Sequence, residues 1–358
     1  MADTAGRKGG TPSSKPAASI SQPPGVERTP TPSWPPGAPR PSELSGPLIA
    51  GKYRLVRLCG RGGVGEVFEA VHEMIGLRVA IKLIRPEWAG DAELSARFLQ
   101  EARAAAAVGH PGIVHIHDMG TTPEGRTYLV MELLDGEDLE KLQRRHKFLP
   151  PAEIVPILCD ALDALNAAHA KGIVHRDLKP ENIFLADAPH GKRRVRILDF
   201  GIARLAAIGG ADLRLTAPGT VMGTPYYMSP EQVVSAPDVD GLADIYAIGV
   251  VLFESLTGQL PFSGANSQEV LLRVLEAPFP SIRDVRPELP EELDRVIRKA
   301  TARKRSERYA SAAEFEAALS PFRSPRPGSE PELRAESRPR ISTAASQTPR
   351  PVDVSHTA

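Results

Sequence analysis

Between residues 53 and 134 the apolar positions come in short runs. Tyr53–Cys59, Glu66–Val71 and Arg78–Leu83 are brief and rich in β-branched or apolar side chains, with glycines between the first two, and they predict three strands. Ala92–Ala107 is alanine-rich with Phe98 and Leu99 as its large apolar contacts, and predicts a helix stopped by Gly109 and Pro111. Ile113–Asp118 and Thr127–Leu134 predict two more strands. From Pro151 the period changes. Ile154, Ile157, Leu158, Ala161, Leu162 and Leu165 recur at spacings of three and four, one apolar face of a long helix opened by Pro150 and Pro151 and closed by Gly172. Further helical segments follow near 243–257, 267–276, 290–302 and 311–319. Asn266 with Glu269, and Ser311 with Glu314, have capping-box spacing. The expectation is an α+β architecture: a small lobe of antiparallel sheet plus one helix, a larger mainly helical lobe, and a ligand cleft between them.

Composition limits this pattern to the middle of the chain. Of the 35 prolines, 18 fall in residues 1–47 and 321–358, where large apolar side chains are nearly lacking. Such segments cannot bury enough apolar surface to offset chain entropy, so 1–47 and 323–358 are expected to be disordered tails around an ordered domain at 53–322. Lys+Arg and Asp+Glu are 44 each, which points away from nucleic acid as a partner. No run of about 18 apolar residues occurs, so no membrane span is expected. Arg7 and Lys8 have no apolar run behind them, which argues against a secretory leader. The two cysteines, Cys59 and Cys159, are too few for a disulfide framework, fit a reduced cytoplasmic compartment, and are expected to be buried apolar side chains.

The first two strands are joined by Gly60-Arg61-Gly62-Gly63-Val64-Gly65-Glu66-Val67. Glycines let backbone N–H groups approach phosphates without a Cβ in the way. Alone, the pattern also fits a plain turn or the opening of a Rossmann helix. Val67, Phe68 and Val71 look like a returning strand, which favours a hairpin lid. Lys82 then ends the apolar strand Val79-Ala80-Ile81, and Glu101 lies on the following helix. A buried lysine needs a carboxylate partner, so the two are expected to pair and present one ammonium to phosphate groups.

The segment Ile173-Val174-His175-Arg176-Asp177-Leu178-Lys179-Pro180-Glu181-Asn182 crowds charged and hydrogen-bonding groups beside apolar anchors. That arrangement suits convergence on a highly charged ligand. Asp177 can accept a hydroxyl proton. Lys179 can neutralise charge on a transferring phosphoryl group, and Asn182 offers a neutral oxygen to Mg²⁺. His175 is expected to be structural. Seventeen residues after Asn182, Asp199 of Ile197-Leu198-Asp199-Phe200-Gly201 is expected to end a strand and chelate the same ion.

Together these motifs resemble the eukaryotic-like, Hanks-type protein kinase superfamily, over about residues 53–322. Val79–Lys82, Glu101, His175–Asp177, Asp199–Gly201, Ser229–Glu231 and Asp244 follow the glycine loop in the family's order. Lys179-Pro180-Glu181-Asn182 and Gly223-Thr224-Pro225 resemble the Ser/Thr branch, and the glycine-loop wording resembles its bacterial members. The resemblance implies a bilobal kinase fold, with a small lobe at about 53–131, a hinge at 132–138 and a large lobe at 139–322. It implies transfer of the ATP γ-phosphoryl group, with Mg²⁺ or Mn²⁺, to Ser or Thr hydroxyls of protein substrates. It places Cys59 to Val67 over the nucleotide, Met131 behind the adenine, Glu132 and Leu134 as backbone contacts to it, and Asp138 near the ribose. Val67, Ala80 and Phe184 would sandwich the purine. Thr224 would hydrogen-bond Asp177 and Lys179 in a substrate platform, and Glu231 would pair with Arg308.

Three departures carry expectations of their own. Ser229 replaces the usual alanine at no cost. Lys304-Arg305 stands where Asp-Pro is common and would loosen a turn. The basic run Lys192-Arg193-Arg194 would form a solvated hairpin tip. Arg176 beside Asp177 implies control by phosphorylation, with Thr216 and Thr220 as the sites, modified in a transient kinase dimer. Phosphothreonine-reading domains are further candidate partners. A catalytically silent scaffold of the same fold is the alternative, but Lys82, Asp177, Asn182 and Asp199 are all present. A small-molecule kinase is disfavoured by the Gly223–Glu231 segment.

Overall fold

A computed structural model describes residues 45–62, 65–188, 191–200 and 225–323, the side chain of Glu101 excepted. The tails therefore lie outside the described residues, as do Gly63, Val64, Gly201, Thr216, Thr220 and Thr224. Among the described residues, β1 (Leu48–Ile49), β2 (Tyr53–Arg61), β3 (Gly65–His72), β4 (Arg78–Ile84), β5 (Ile116–Thr121) and β6 (Thr127–Glu132) form an antiparallel sheet ordered β1-β2-β3-β4-β6-β5. β4 explains why the small lobe holds together. Side chains alternate along a strand, and both faces of β4 are covered. Val79, Ile81 and Leu83 pack with Tyr53, Leu55, Ala70, Tyr128 and Val130 on one side. On the other, Ile84 packs with Phe98 and Ala102 of α1 (Ala92–Val108), while Ala80 meets Met131. Lys82 shares this second face, and so sits on the helix side of the sheet. Asp91 caps α1 through the Leu94 N–H at 2.9 Å, and Gly109 ends it in the left-handed region at φ 63°.

The fifth strand starts three residues later than the sequence pattern suggests. Around Ile113 the chain bonds elsewhere, in a parallel bridge opposite Ile197 made through its two neighbours. The Val114 N–H donates to the Ile197 carbonyl, and the Ile197 N–H to that of Gly112. This bridge ties the small lobe to β9 (Lys192–Ile197), the last strand of a second antiparallel sheet with β7 (Gly136–Asp138) and β8 (Ile183–Ala188). β6 likewise stops at Glu132, two residues early, where the chain crosses to the large lobe.

The large lobe is built from α2 (Leu139–Arg145), α3 (Pro151–His169), α4 (Pro230–Val233), α5 (Gly241–Thr257), α6 (Ser267–Glu276), α7 (Ile282–Val285), α8 (Glu291–Ala300) and α9 (Ala312–Leu319). Its core joins Leu158, Leu162 and Leu165 of α3 to Ile248, Val251 and Leu252 of α5, with Ile297 and Phe315 beyond. α5 is buried along nearly its whole length and stops at Gly258, φ 70°, where any Cβ would fall 1.9 Å from the Lys147 carbonyl oxygen. The expected capping boxes form in half. Asn266 and Ser311 accept from the N–H groups of Glu269 and Glu314, but those carboxylates reach one residue further back, to the N–H groups of Ala265 and Ala310.

Two expectations are corrected here. Cys159 is buried, but Cys59 is exposed, because it lies on β2 beyond the stretch that the sheet core covers. The Lys304-Arg305 turn is not loosened, since Arg305 ties it to Asp238 at 2.7 Å and Asp240 at 2.5 Å. Within the basic run, Arg193 pairs with Glu137 at 3.0 Å. Among the described residues no helix is long and apolar enough to cross a membrane.

Candidate active site

The segment from Ile173 to Asn182 hangs from one carboxylate. Asp244, in the first turn of α5 and 1% exposed, accepts the N–H groups of His175 and Arg176, and its Oδ2 lies 2.8 Å from His169 Nε2. Burial works against its ionisation, but the His169 contact and the His175 partners outweigh that and hold Asp244 below the usual carboxylate range. The bonds also fix Arg176 at φ 67°, a left-handed conformation that costs a non-glycine residue about 1–3 kcal/mol. The Arg176 side chain donates to the Val239 carbonyl at 3.2 Å, while its buried Nε has no hydrogen-bond partner.

His175 is fully buried and joins two loops. Its Nδ1 accepts the Asp177 N–H at 3.2 Å, and its Nε2 lies 2.7 Å from the Leu198 carbonyl. A carbonyl can only accept, so the ring is the neutral Nε2–H tautomer. Burial lowers its pKa. Because the unfolded histidine takes up a proton first, His175 contributes stability at neutral pH that is lost as pH falls below about 6.5. Long-range ¹H–¹⁵N spectra of the imidazoles should show this tautomer at pH 7 and no titration of His175 with a midpoint at or above that value. An imidazolium signal at pH 7 would contradict the assignment.

Asn182 makes a second bridge. Its Nδ2 donates to the Asp177 carbonyl at 2.7 Å, and its own carbonyl accepts the Leu198 N–H at 2.9 Å. Asp177 and Asp199 are thus held on adjoining segments. The Lys179 ammonium lies 3.6 Å from Asp177 Oδ2. Asp199 does not end a strand as expected. β9 stops at Ile197, and Asp199 stands two residues on with φ 46°. Its Oδ1 lies 2.8 Å from the Lys82 ammonium, an ion pair spanning the cleft. The Asp199 side chain is 42% exposed to the cleft, so what desolvation its surroundings impose is outweighed by the Lys82 ammonium, with lesser help from Lys179, and its carboxyl titrates below its ordinary value. The expected pairing of Lys82 with Glu101 involves a side chain outside the described residues.

Above these groups lies an apolar wall. Val67, Ala80 and Met131 come together, joined by Val114, Leu133 and Leu198. Phe184 is half-buried on β8, opposite Asp138 in the register. Asp138 caps α2 through the Lys141 N–H at 2.8 Å. The Glu132 carboxylate accepts the His115 N–H and pairs with Arg196 at 3.2 Å. The lid closes through the Gly62 N–H, which donates to the Gly65 carbonyl at 2.8 Å, and Arg61 meets Glu66 at 3.1 Å. A Cβ on Gly65 would lie 3.1 Å from the Leu83 carbonyl oxygen and 3.4 Å from Lys82 Cγ. Gly65→Ala should therefore push on Lys82 at a cost of about 1 kcal/mol, read as a roughly fivefold weaker nucleotide affinity in a fluorescence titration. Unchanged affinity would mean that the strand absorbs the methyl group elsewhere.

The protein kinase domain family matches residues 53–319. The chain belongs to the protein kinase family. Serine/threonine-protein kinase Pkn1 of Myxococcus xanthus is 45% identical over 282 residues, 77% of this chain and 39% of that protein. PknA of Mycobacterium tuberculosis is 39% identical over 294 residues, 80% of this chain and 65% of that protein. The crystal structure of the M. tuberculosis PknI kinase domain superposes with a TM-score of 0.59 at 30% identity, over 78% of this chain and 98% of that one. These relatives put the chain in the bacterial, Hanks-type Ser/Thr branch. The chain spans about two fifths of the length of Pkn1 and about two thirds of that of PknA.

The kinase fold accounts for the Glu231–Arg308 pair. Both Arg308 Nη groups bind the Glu231 carboxylate, at 2.7 and 2.8 Å, with side chains 0% and 6% exposed. The pair anchors the Ser229-Pro230-Glu231 turn to the segment after α8. Sequence reasoning missed Leu198 as a wall residue and Asp244 as the hub of the loop. Leu198 carried a signal, since it lies beside Asp199. The partnership of Asp244 with His169, 75 residues away, carried none.

Proposed function

We propose that this kinase transfers the γ-phosphoryl group of ATP to Ser and Thr hydroxyls of proteins, including its own Thr216 and Thr220. The observation that carries the reading is the double bridge, through His175 and Asn182, that binds the Asp177 loop to the segment bearing Asp199. Asp177 would orient the attacking hydroxyl and take its proton. Lys179 would offset charge on the transferred group. Lys82 would hold the nucleotide phosphates under the lid of Cys59 to Val67, with the adenine against Val67, Ala80, Met131 and Phe184, and its edge on the backbone of Glu132 and Leu134. Asp138 would meet the ribose. The donor set fits Mg²⁺: Asp199 supplies a carboxylate, and Asn182, whose Nδ2 is committed to Asp177, turns its amide oxygen elsewhere. When bound, that ion would screen charge on the phosphates.

Arg176 supports control by phosphorylation, because its buried Nε has no partner and burial weakens its hold on its proton. Modification would take place in a transient pair of kinases, and phosphothreonine-reading domains would then have a target. Incubation with labelled ATP and Mg²⁺, followed by phosphosite mapping, should place label on Thr216 or Thr220 and on a general protein substrate such as myelin basic protein. Nucleotide binding with no label on either would sink the proposal in favour of a scaffold.

A further inference from the structure

Away from the cleft, a cavity of about 260 Å³ opens beneath the Ser229-Pro230-Glu231 turn, where Pro230 and α5 face α6 and α8. It lies just under the roughly 300–1,000 Å³ range of drug-sized sites. Phe262, Val274 and Phe279 give it apolar walls, with the two aromatic rings edge to face at 5.6 Å. Its polar content is one-sided. No Asp or Glu is among the lining residues, and Arg298 and Arg303 both are. Arg298 gives its Nε to Asp294 and Arg303 gives Nη2 to the Ala277 carbonyl, so each guanidinium uses only part of its five-donor fork.

Tyr246 is the decisive residue. Its side chain is 2% exposed and lines the cavity, and its hydroxyl has no hydrogen-bond partner among the described residues. Burial pushes the phenol pKa up, so the group is a donor at any working pH. Among the described residues the lining thus offers an O–H without a partner and two guanidinium groups, that of Arg298 shared with Asp294, beside apolar walls, a set that suits a ligand with a flat apolar body and a negatively charged acceptor. We propose that this cavity is a binding site for a small aromatic carboxylate, which accepts from Tyr246 and pairs with Arg298 and Arg303. A bound molecule would touch Pro230 and Tyr246, and Tyr246 also lies under the Arg308 guanidinium at 5.1 Å. The ligand would sit directly against the anchor of the substrate-facing turn.

The test is direct binding, independent of phosphoryl transfer. ¹⁹F NMR of 4-fluorophenylacetate is titrated with the full chain, held in saturating Mg·ADP to keep the probe out of the nucleotide cleft. The expected result is saturable binding, at least about tenfold weaker in Tyr246→Phe, which keeps the ring and loses a charge-assisted hydrogen bond. Ala277→Phe, which fills the cavity from its wall, should abolish it, and Arg298→Gln, a half-exposed change that spares the core, should weaken it. The neutral 4-fluorophenylacetamide should bind at least about tenfold less well. No saturable binding to the wild type, equal binding by amide and acid, or binding unchanged in Tyr246→Phe and Ala277→Phe would each overturn the proposal.

Discussion

Asp177→Asn should lower the rate of phosphoryl transfer by about 10²–10⁴-fold, the usual worth of a positioned general base, while nucleotide affinity changes little. The asparagine is nearly isosteric, and the bonds that shape the loop come from the Asp177 backbone: its N–H donates to His175 Nδ1 and its carbonyl accepts from Asn182 Nδ2. Both survive the substitution. What is lost is the carboxylate, and with it the proposed proton acceptor and the partner of Lys179, 3.6 Å away. The groups proposed to meet the nucleotide and its metal, Lys82 and Asp199, belong to other segments and keep their ion pair. The effect should therefore fall on kcat with KM for ATP nearly constant, the signature of an interaction that acts in the transition state. Steady-state assays with a protein substrate, beside an equilibrium nucleotide titration, separate the two. A drop confined to nucleotide affinity would mean that Asp177 shapes the pocket and is not the base.

The sequence reveals this machinery unevenly, and the reasons are local. His175, Asp177, Lys179 and Asn182 lie within eight residues, so their crowding can be read from one line of text. Lys82 is conspicuous because a charge interrupts an apolar strand, and the period-two pattern of β4 then puts it on the face shared with Ala80 and Ile84. Long-range geometry is harder. The apolar pattern misplaces the start of β5 because Ile113 has the side chain of a sheet residue, but its neighbours Gly112 and Val114 give their backbone bonds to Ile197, 84 positions after Ile113. It also predicts a strand end at Asp199, because Ile197 and Leu198 are apolar. The left-handed φ of 46° at Asp199 reflects instead the bonds that Leu198 makes, its N–H to Asn182 and its carbonyl to His175. α2 and β7 escape the pattern for another reason. Each is short, and Asp138, read as a ribose contact, also serves as the N-cap that starts α2. Arg305 shows the converse error. A departure from a familiar pattern looks like a loss, but Asp238 and Asp240 supply the carboxylates that make the arginine useful.

The second large effect lies far from the chemistry. Arg308→Ala should destabilise the large lobe by about 3–5 kcal/mol, the cost of stranding one member of a buried ion pair. Glu231 would be left 7% exposed with no counter-charge from Arg308, and the side-chain volume would become a void beside Tyr246. Arg308 does more than neutralise Glu231, because it also donates to the carbonyls of Ala302, Leu242 and Arg303. That separates two outcomes. Were the ion pair the whole interaction, replacing both partners with apolar residues of similar size would be close to neutral. Here Glu231→Leu with Arg308→Met removes the stranded carboxylate but also those three hydrogen bonds, so the double variant should recover less than half of the loss. Chemical or thermal unfolding gives the answer, with a drop in Tm of about 10 °C expected for the single change in a domain of this size. Arg308→Lys should fall between the two, since an ammonium keeps the charge but cannot span both carboxylate oxygens and the carbonyls at once. A double variant as stable as the wild type would show that the carbonyl bonds contribute nothing. The turn that carries Pro230 would then need neither the Glu231 charge nor the arginine fork that joins α4, the start of α5 and the segment after α8.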